Sequence, residues 1–306
     1  MKQFIKQSLL FAVVVVIAYP ILIVLSMWLP IPQVFKPSIN YKIGSYGHMY
    51  SRLQEARNIQ GDVDILFLGS SHSYRGFDPR NFEPLKTFNL GSSAQTPLQT
   101  KILLDRYLDL INPKMVVYEV YPNTLGSDGV ESSLDLIAND RNDWNSVKMA
   151  FEINNIKTYN TLIYGFAADL LNINKGFEEP VRHDEDTYIS GGYVQRDMSY
   201  HTFEKLGKRK WKFRDEQLAK FNECLQMLKE RDIETVLVFA PIAPNVYNAY
   251  TNYDTVDSLY NSYGLKYYDF NRMLDLNDSL HFYDGHHLNQ DGVNIFNAKV
   301  REVLGI

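Results

Sequence analysis

Short apolar runs alternating with helix-like stretches constrain this chain more than any other feature. Asp64 to Gly69, Thr87 to Gly91, Met115 to Tyr121, Glu234 to Ala240 and Leu265 to Phe270 have strand composition, and several end at Gly or just before Pro. The longer ones lack in–out alternation, the mark of strands covered on both faces. Between them, Thr96 to Ile111 places Leu98, Ile102, Leu103, Tyr107 and Leu110 at three- and four-residue spacing. Arg214 to Arg231 and Gln290 to Val303 have the same helical periodicity, and Val246 to Tyr263 is also expected to be one helix.

Strand–helix alternation with right-handed crossovers predicts an α/β fold. The expected architecture is a five-stranded parallel sheet in flavodoxin-like order, 2-1-3-4-5, inside a three-layer α/β/α sandwich. Residues 124–213 break the alternation with polar, aromatic and Gly-Gly segments, and are expected to form an insertion that covers the site or acts as a lid.

The amino terminus sets a separate boundary. Lys2 and Lys6 precede a run from Ser8 to Leu29 without a charged side chain. At ~1.5 Å per residue such a run covers the ~30 Å hydrocarbon core. A signal peptide has an apolar region of only about 7–15 residues, so a retained anchor is expected, with Trp28 at its far interface. The lysines favour a cytoplasmic start and an extracytoplasmic remainder. The division is then 1–30 anchor, 31–60 stalk and 61–306 α/β/α domain. The protein would be single-pass in the cytoplasmic membrane, its C-terminal domain periplasmic or at the cell surface.

With 45% hydrophobic and 22% charged residues, the chain can build a core. Its net charge of −5 argues against a general nucleic-acid binder. Cys224 is the only cysteine, which excludes an intrachain disulfide, and its helical spacing with Phe221 and Leu228 makes it a core residue. The 21 tyrosines suit contact with carbohydrate or ordinary core and rim positions.

In an open parallel sheet, functional groups gather beyond the carboxyl ends of the strands. Ser70, Ser71 and His72 follow the first strand, Gly91 to Ser93 the second, and Asn123 the third. Tyr283-Asp284-Gly285-His286-His287 follows the fifth and leads into the last helix. Serine, histidine and aspartate are what an alcohol needs to become nucleophilic at neutral pH. Taken singly they have blander readings: Ser71 as a turn or cap serine, Gly91 as a turn glycine, Arg75 as a solvated cation, and Asp284 with the two histidines as a metal site lacking further ligands.

Together these segments resemble the SGNH (GDSL-like) hydrolase superfamily over residues 60–306, the insertion excepted. Gly69-Ser70-Ser71 matches the Gly-Asp-Ser block, Asn89-Leu90-Gly91 the glycine block, Val116 to Asn123 the strand carrying the asparagine, and Asp284-Gly285-His286-His287 the terminal Asp-x-x-His block. The resemblance implies Ser71 as nucleophile, His287 as base and Asp284 as its orienting partner. It implies an oxyanion hole from Ser71, Gly91 and Asn123. His72, Arg75 and His286 are candidate substrate contacts, Arg75 as an anion clamp. No metal or organic cofactor is implied. Ser70 replaces the usual aspartate, and Tyr121-Pro122-Asn123 the usual Gly-x-Asn approach. With the anchor, this looks like the cell-envelope subgroup that includes alginate O-acetylation and teichoic-acid D-alanine-transfer proteins. The implied activity is that of an esterase or O-acyltransferase on an acylated carbohydrate or other ester, with a membrane acyltransferase as partner. The alternative is a catalytically silent glycan-binding or assembly component of that fold.

Overall fold

A computed structural model describes residues 1–26, 42–44, 47–59, 61–202 and 206–306. The end of the expected span at Trp28 and Leu29, and most of the expected stalk, lie outside the described residues. The chain divides into two compact units, Met1–Ser45 with Ser133–Glu178, and Tyr46–Ser132 with Glu179–Ile306.

The second unit is built on a parallel sheet of β1 (Ile65–Leu68), β2 (Thr87–Asn89), β3 (Met115–Glu119), β7 (Glu234–Phe239) and β8 (Lys266–Asp269). Its order, β2-β1-β3-β7-β8, is the one expected from the alternation. Every residue of β1 is buried, which is why that strand reads as a continuous apolar run. In register, Phe67 lies opposite Val117 and Leu68 opposite Tyr118, so Phe67 and Tyr118 point to opposite faces. Phe67 stacks on Phe77, which meets Phe296 of helix α9 (Gln290–Leu304). Tyr118 meets Phe221 of helix α7 (Asp215–Glu230). Helices thus cover both faces.

Two further helices belong here, α2 (Met49–Asn58) and α3 (Pro97–Ile111). Met49, Leu53 and Ala56 of α2 are buried at spacings of four and three, so residues 47–59 are part of the folded unit and not a stalk. Helix α3 starts sharply because Thr96 and Gln99 form a reciprocal capping box with Pro97 in the first turn. Cys224 is buried on α7 beneath Pro97, and burial pushes its thiol up.

The expected helix from Val246 to Tyr263 is interrupted. A turn of helix at Pro244–Tyr247 precedes α8 (Tyr253–Asn261), and between them Tyr250 bridges to Arg209 while its ring stacks on Trp211. That pairing lies 41 positions away in sequence, beyond what helical periodicity reports.

The stretch expected as one insertion is divided. Strands β4 (Arg182–His183), β5 (Asp186–Ile189) and β6 (Tyr193–Arg196) form an antiparallel sheet in the second unit. Their Gly191–Gly192 turn presses on the edge strand β2: Asn89 N–H donates to Gly191 O at 2.8 Å. Gly192 has φ of +82°, and a Cβ there would lie 2.3 Å from Asn89 O, so only glycine fits. Residues 133–178 instead join the amino-terminal helix α1 (Lys2–Leu25). This first unit holds most of α4 (Val130–Asn139), with α5 (Trp144–Ile153) and α6 (Ile156–Leu171). Helix α1 is long and apolar enough to cross a membrane or to serve as a signal sequence.

Candidate active site

The chain leaves β1 through Gly69, whose φ of +133° excludes other residues and whose missing Cβ lets Glu119 approach. Ser70 then caps a one-turn helix, Ser71–Tyr74. This puts Ser71 at the first helical position, where its N–H has no acceptor among the described residues.

His287 arrives from the other end of the chain. Its Nε2 lies 2.8 Å from Ser71 Oγ, and its Nδ1 lies 2.9 and 3.0 Å from the Asp284 carboxylate oxygens. With Nδ1–H donating to Asp284, Nε2 is the acceptor for the Ser71 hydroxyl proton. Asp284 also accepts the His286 and His287 amide protons at 2.7 and 2.8 Å. Burial alone would raise its pKa; the His287 ring and these amides outweigh that and hold the carboxyl well below the usual range. The His287 ring is held between Tyr283, at 5.4 Å and 9°, and His72, at 5.1 Å and 28°. Orientation and tautomer of the imidazole are therefore fixed on all sides.

Beneath Ser71 lies a buried chain that the sequence reading did not find. Ser70 donates its N–H and its hydroxyl to Glu119 Oε2 at 2.9 and 2.8 Å, and its oxygen lies 3.0 Å from His72 Nδ1. Burial raises Glu119 to about 7. The available signal was an acid closing an otherwise apolar strand, Met-Val-Val-Tyr-Glu. Burial first, then the neighbouring His287 and His286, push His72 far down, so it stays neutral beside His287.

A cleft of about 340 Å³ opens over Ser71 and His287, lined also by His72, Ser93, Ala94, Tyr121, Asn123, Glu131 and His286. Ala94 holds φ of +47°, strained for a residue with a side chain. Ser93 Oγ donates to Glu131 at 2.7 Å. The sequence places Ser93 at this sheet edge, but not Ala94 or Glu131. A larger depression, about 820 Å³, sits at the opposite end of the strands around Glu234 and Lys266, far from these groups.

Three expected contributors stand differently. The Gly91 N–H donates to Asn89 Oδ1 at 2.9 Å and is taken; a Cβ at Gly91 would lie 2.9 Å from Gly69 O and Ser70 O, so this glycine serves close packing. Asn123 lines the cleft, but its amide donates to the Tyr121 and Tyr250 hydroxyls at 2.8 and 3.2 Å. Arg75 is no anion clamp here: it is buried and paired two-pronged with Asp186 at 2.9 and 2.6 Å. His72 and His286 do reach the cleft, and His286 Nδ1 lies 3.3 Å from the Tyr121 hydroxyl.

A second cleft, about 560 Å³, lies on the far side of Asp284 and His286, lined by Tyr200, His201, Arg209, Asn245 and Tyr283. Arg209 belongs to an exposed basic strap. Lys208, Arg209, Lys210, Lys212 and Arg214 fall within seven residues that hold no acid. The strap is fixed by Trp211, buried and stacked on Tyr250 at 4.0 Å and 3°.

No protein-family profile matches this chain, and no curated protein does. Similar solved structures include a "putative acylhydrolase" from Bacteroides fragilis, 11% identical, covering 85% of this chain and 97% of that one with a TM-score of 0.45. A GDSL-like lipase from Bacteroides thetaiotaomicron is 12% identical, covering 85% and 98%, with a TM-score of 0.42. The geometry of Ser71, His287 and Asp284 carries the functional argument by itself.

Proposed function

We propose that this chain is an SGNH-type serine esterase or O-acyltransferase acting on an acylated cell-envelope polysaccharide. It would be anchored by α1 in the cytoplasmic membrane, with its site periplasmic or at the cell surface, and a membrane acyltransferase is its proposed partner. The observation that carries the reading is the Ser71–His287–Asp284 relay, with Ser71 Oγ 2.8 Å from His287 Nε2.

His287 Nε2 takes the Ser71 proton as Oγ bonds to the ester carbonyl carbon, and the carbonyl electrons move to oxygen. That oxyanion would be met by the Ser71 N–H. Asn123 would join it by exchanging a tyrosine hydroxyl for the oxyanion, each such donor being worth ~3–4 kcal/mol. Collapse breaks the ester C–O bond, and His287 returns its proton to the departing alcohol. Water or a sugar hydroxyl, deprotonated by His287, then takes the acyl group from Ser71. Asp284 holds the tautomer and stabilises the transient imidazolium. The carbohydrate reading draws support from the tyrosine-lined second cleft and its arginine beside the relay.

The commitment of the Gly91 and Asn123 amides favours a second reading, a silent glycan-binding component. Incubating the full-length protein with an acetyl ester donor, with and without an oligosaccharide acceptor, separates the two. Released acetate or acetylated oligosaccharide supports the enzyme; oligosaccharide binding without either product supports the silent component.

A further inference from the structure

Within the first unit, one face of the helix pair α5–α6 has no protein to cover it among the described residues. Ile156, Tyr159, Phe166 and Leu170 recur at helical spacing along one side of α6, bordered by Ile163, which packs towards Ile23. Leu170 is 81% exposed, Ile156 61% and Phe166 40%. Helix α5 extends the stripe: Phe151 packs edge-on against Tyr159 at 5.7 Å and, with Trp144, is 68% exposed. No charged residue occurs from Thr158 to Ala168. An apolar patch of this kind on a soluble surface signals a missing partner.

The other face of α6 indicates which partner. It packs against the last third of α1: Ile23 is buried with Tyr164 and Ala168, and the Tyr19 hydroxyl donates to Asn160. Gly165 lets Asn142 close against the same helix. If α1 spans the bilayer, as proposed above, α6 is tied to the part of the span nearest the outer headgroups. Trp144 supplies an interfacial aromatic, and Lys148, Lys157 and Lys175 flank the apolar stretch in sequence.

We propose that α5 and α6 form a membrane-docking element, with the Trp144–Phe151–Phe166–Leu170 face set against the outer leaflet beside the anchor. The 133–178 segment then belongs to the membrane surface and is not a lid.

Nitroxide labels in the full-length protein, reconstituted in phosphatidylglycerol/phosphatidylcholine vesicles, test this; Cys224 is buried and stays unlabelled. Labels at Phe166→Cys and Leu170→Cys should collide with oxygen in preference to a water-soluble nickel chelate, as a label at Val13→Cys in α1 does. A label at the exposed Glu178→Cys should show the opposite preference. Leu170→Asp should shift the Phe166→Cys label toward nickel while leaving the Val13→Cys label unchanged. If Val13→Cys reports lipid but Phe166→Cys and Leu170→Cys report water, the docking element is refuted and the anchor stands. If Val13→Cys also reports water, the anchor reading falls with it. Labels at 166 and 170 shielded from both reagents would mean that a protein covers the face, which also overturns the proposal.

Discussion

Glu119 should make the second unit lose stability as pH rises towards neutrality, and Glu119→Gln should abolish that contribution. The carboxyl is buried beneath the Ser70–Ser71 turn, and desolvation lifts it from an ordinary 4.5 to about 7. The folded state therefore holds a proton that the unfolded chain releases above about 4.5. Folding binds protons in that window, so stability is highest below it and falls as pH climbs towards 7. At about 1.36 kcal/mol per unit, the two-and-a-half-unit span amounts to roughly 3 kcal/mol, most of it lost between pH 5 and 8. Gln keeps an acceptor for the Ser70 N–H and hydroxyl but cannot ionise. Denaturant unfolding of the detergent-solubilised protein at pH 5, 6, 7 and 8, wild type against Glu119→Gln, isolates this one group, because all other titrating groups are shared. The difference between the two curves should change by about 2–3 kcal/mol across the range. Parallel curves would show that Glu119 titrates in the folded state as it does in water, and the desolvation argument would fail.

Other outcomes follow from the same contacts. Ser71→Ala and His287→Ala should each remove nearly all ester turnover, and the double variant little more, since relay members act as a unit; Asp284→Asn should cost less, the turn still orienting His287. Arg75→Ala should destabilise by about 2–3 kcal/mol through loss of the two-pronged pair, Asp186 keeping the longer Arg196 contact, yet leave KM for an anionic ester unchanged; a raised KM for that ester with intact stability would restore the clamp. Asn123→Ala should lower kcat about a hundredfold if the amide swaps from tyrosine to oxyanion, whereas unchanged kcat would remove Asn123 from the oxyanion site.

The parallel sheet was legible because its strands are covered on both faces, and burial on both faces leaves an unmistakable composition. The relay was legible because Ser71 and the Asp284–His287 turn each follow a strand end, and topology gathers strand ends. What sequence did not disclose depends on partners that periodicity does not report. Asp186 claims Arg75 from a β-hairpin 111 positions away, Asn89 claims the Gly91 amide through a side chain, and Arg209 breaks the helix at Tyr250. The insertion reads as one segment in sequence, yet Tyr164 and Ala168 draw 133–178 to Ile23 while Gly191 and Gly192 draw 179–196 to β2. Local periodicity is the same whichever body a helix joins.

The central claim is that Ser71 is a nucleophile made reactive by His287. A fluorophosphonate probe, followed by peptide mass spectrometry of the full-length protein, reads this directly. The account predicts one phosphonylated residue, Ser71, labelled rapidly in wild type and in Ser70→Ala, and at most very slowly in His287→Ala. An adduct on Ser70 or Ser93, or no adduct while a known serine esterase labels in parallel, would contradict it.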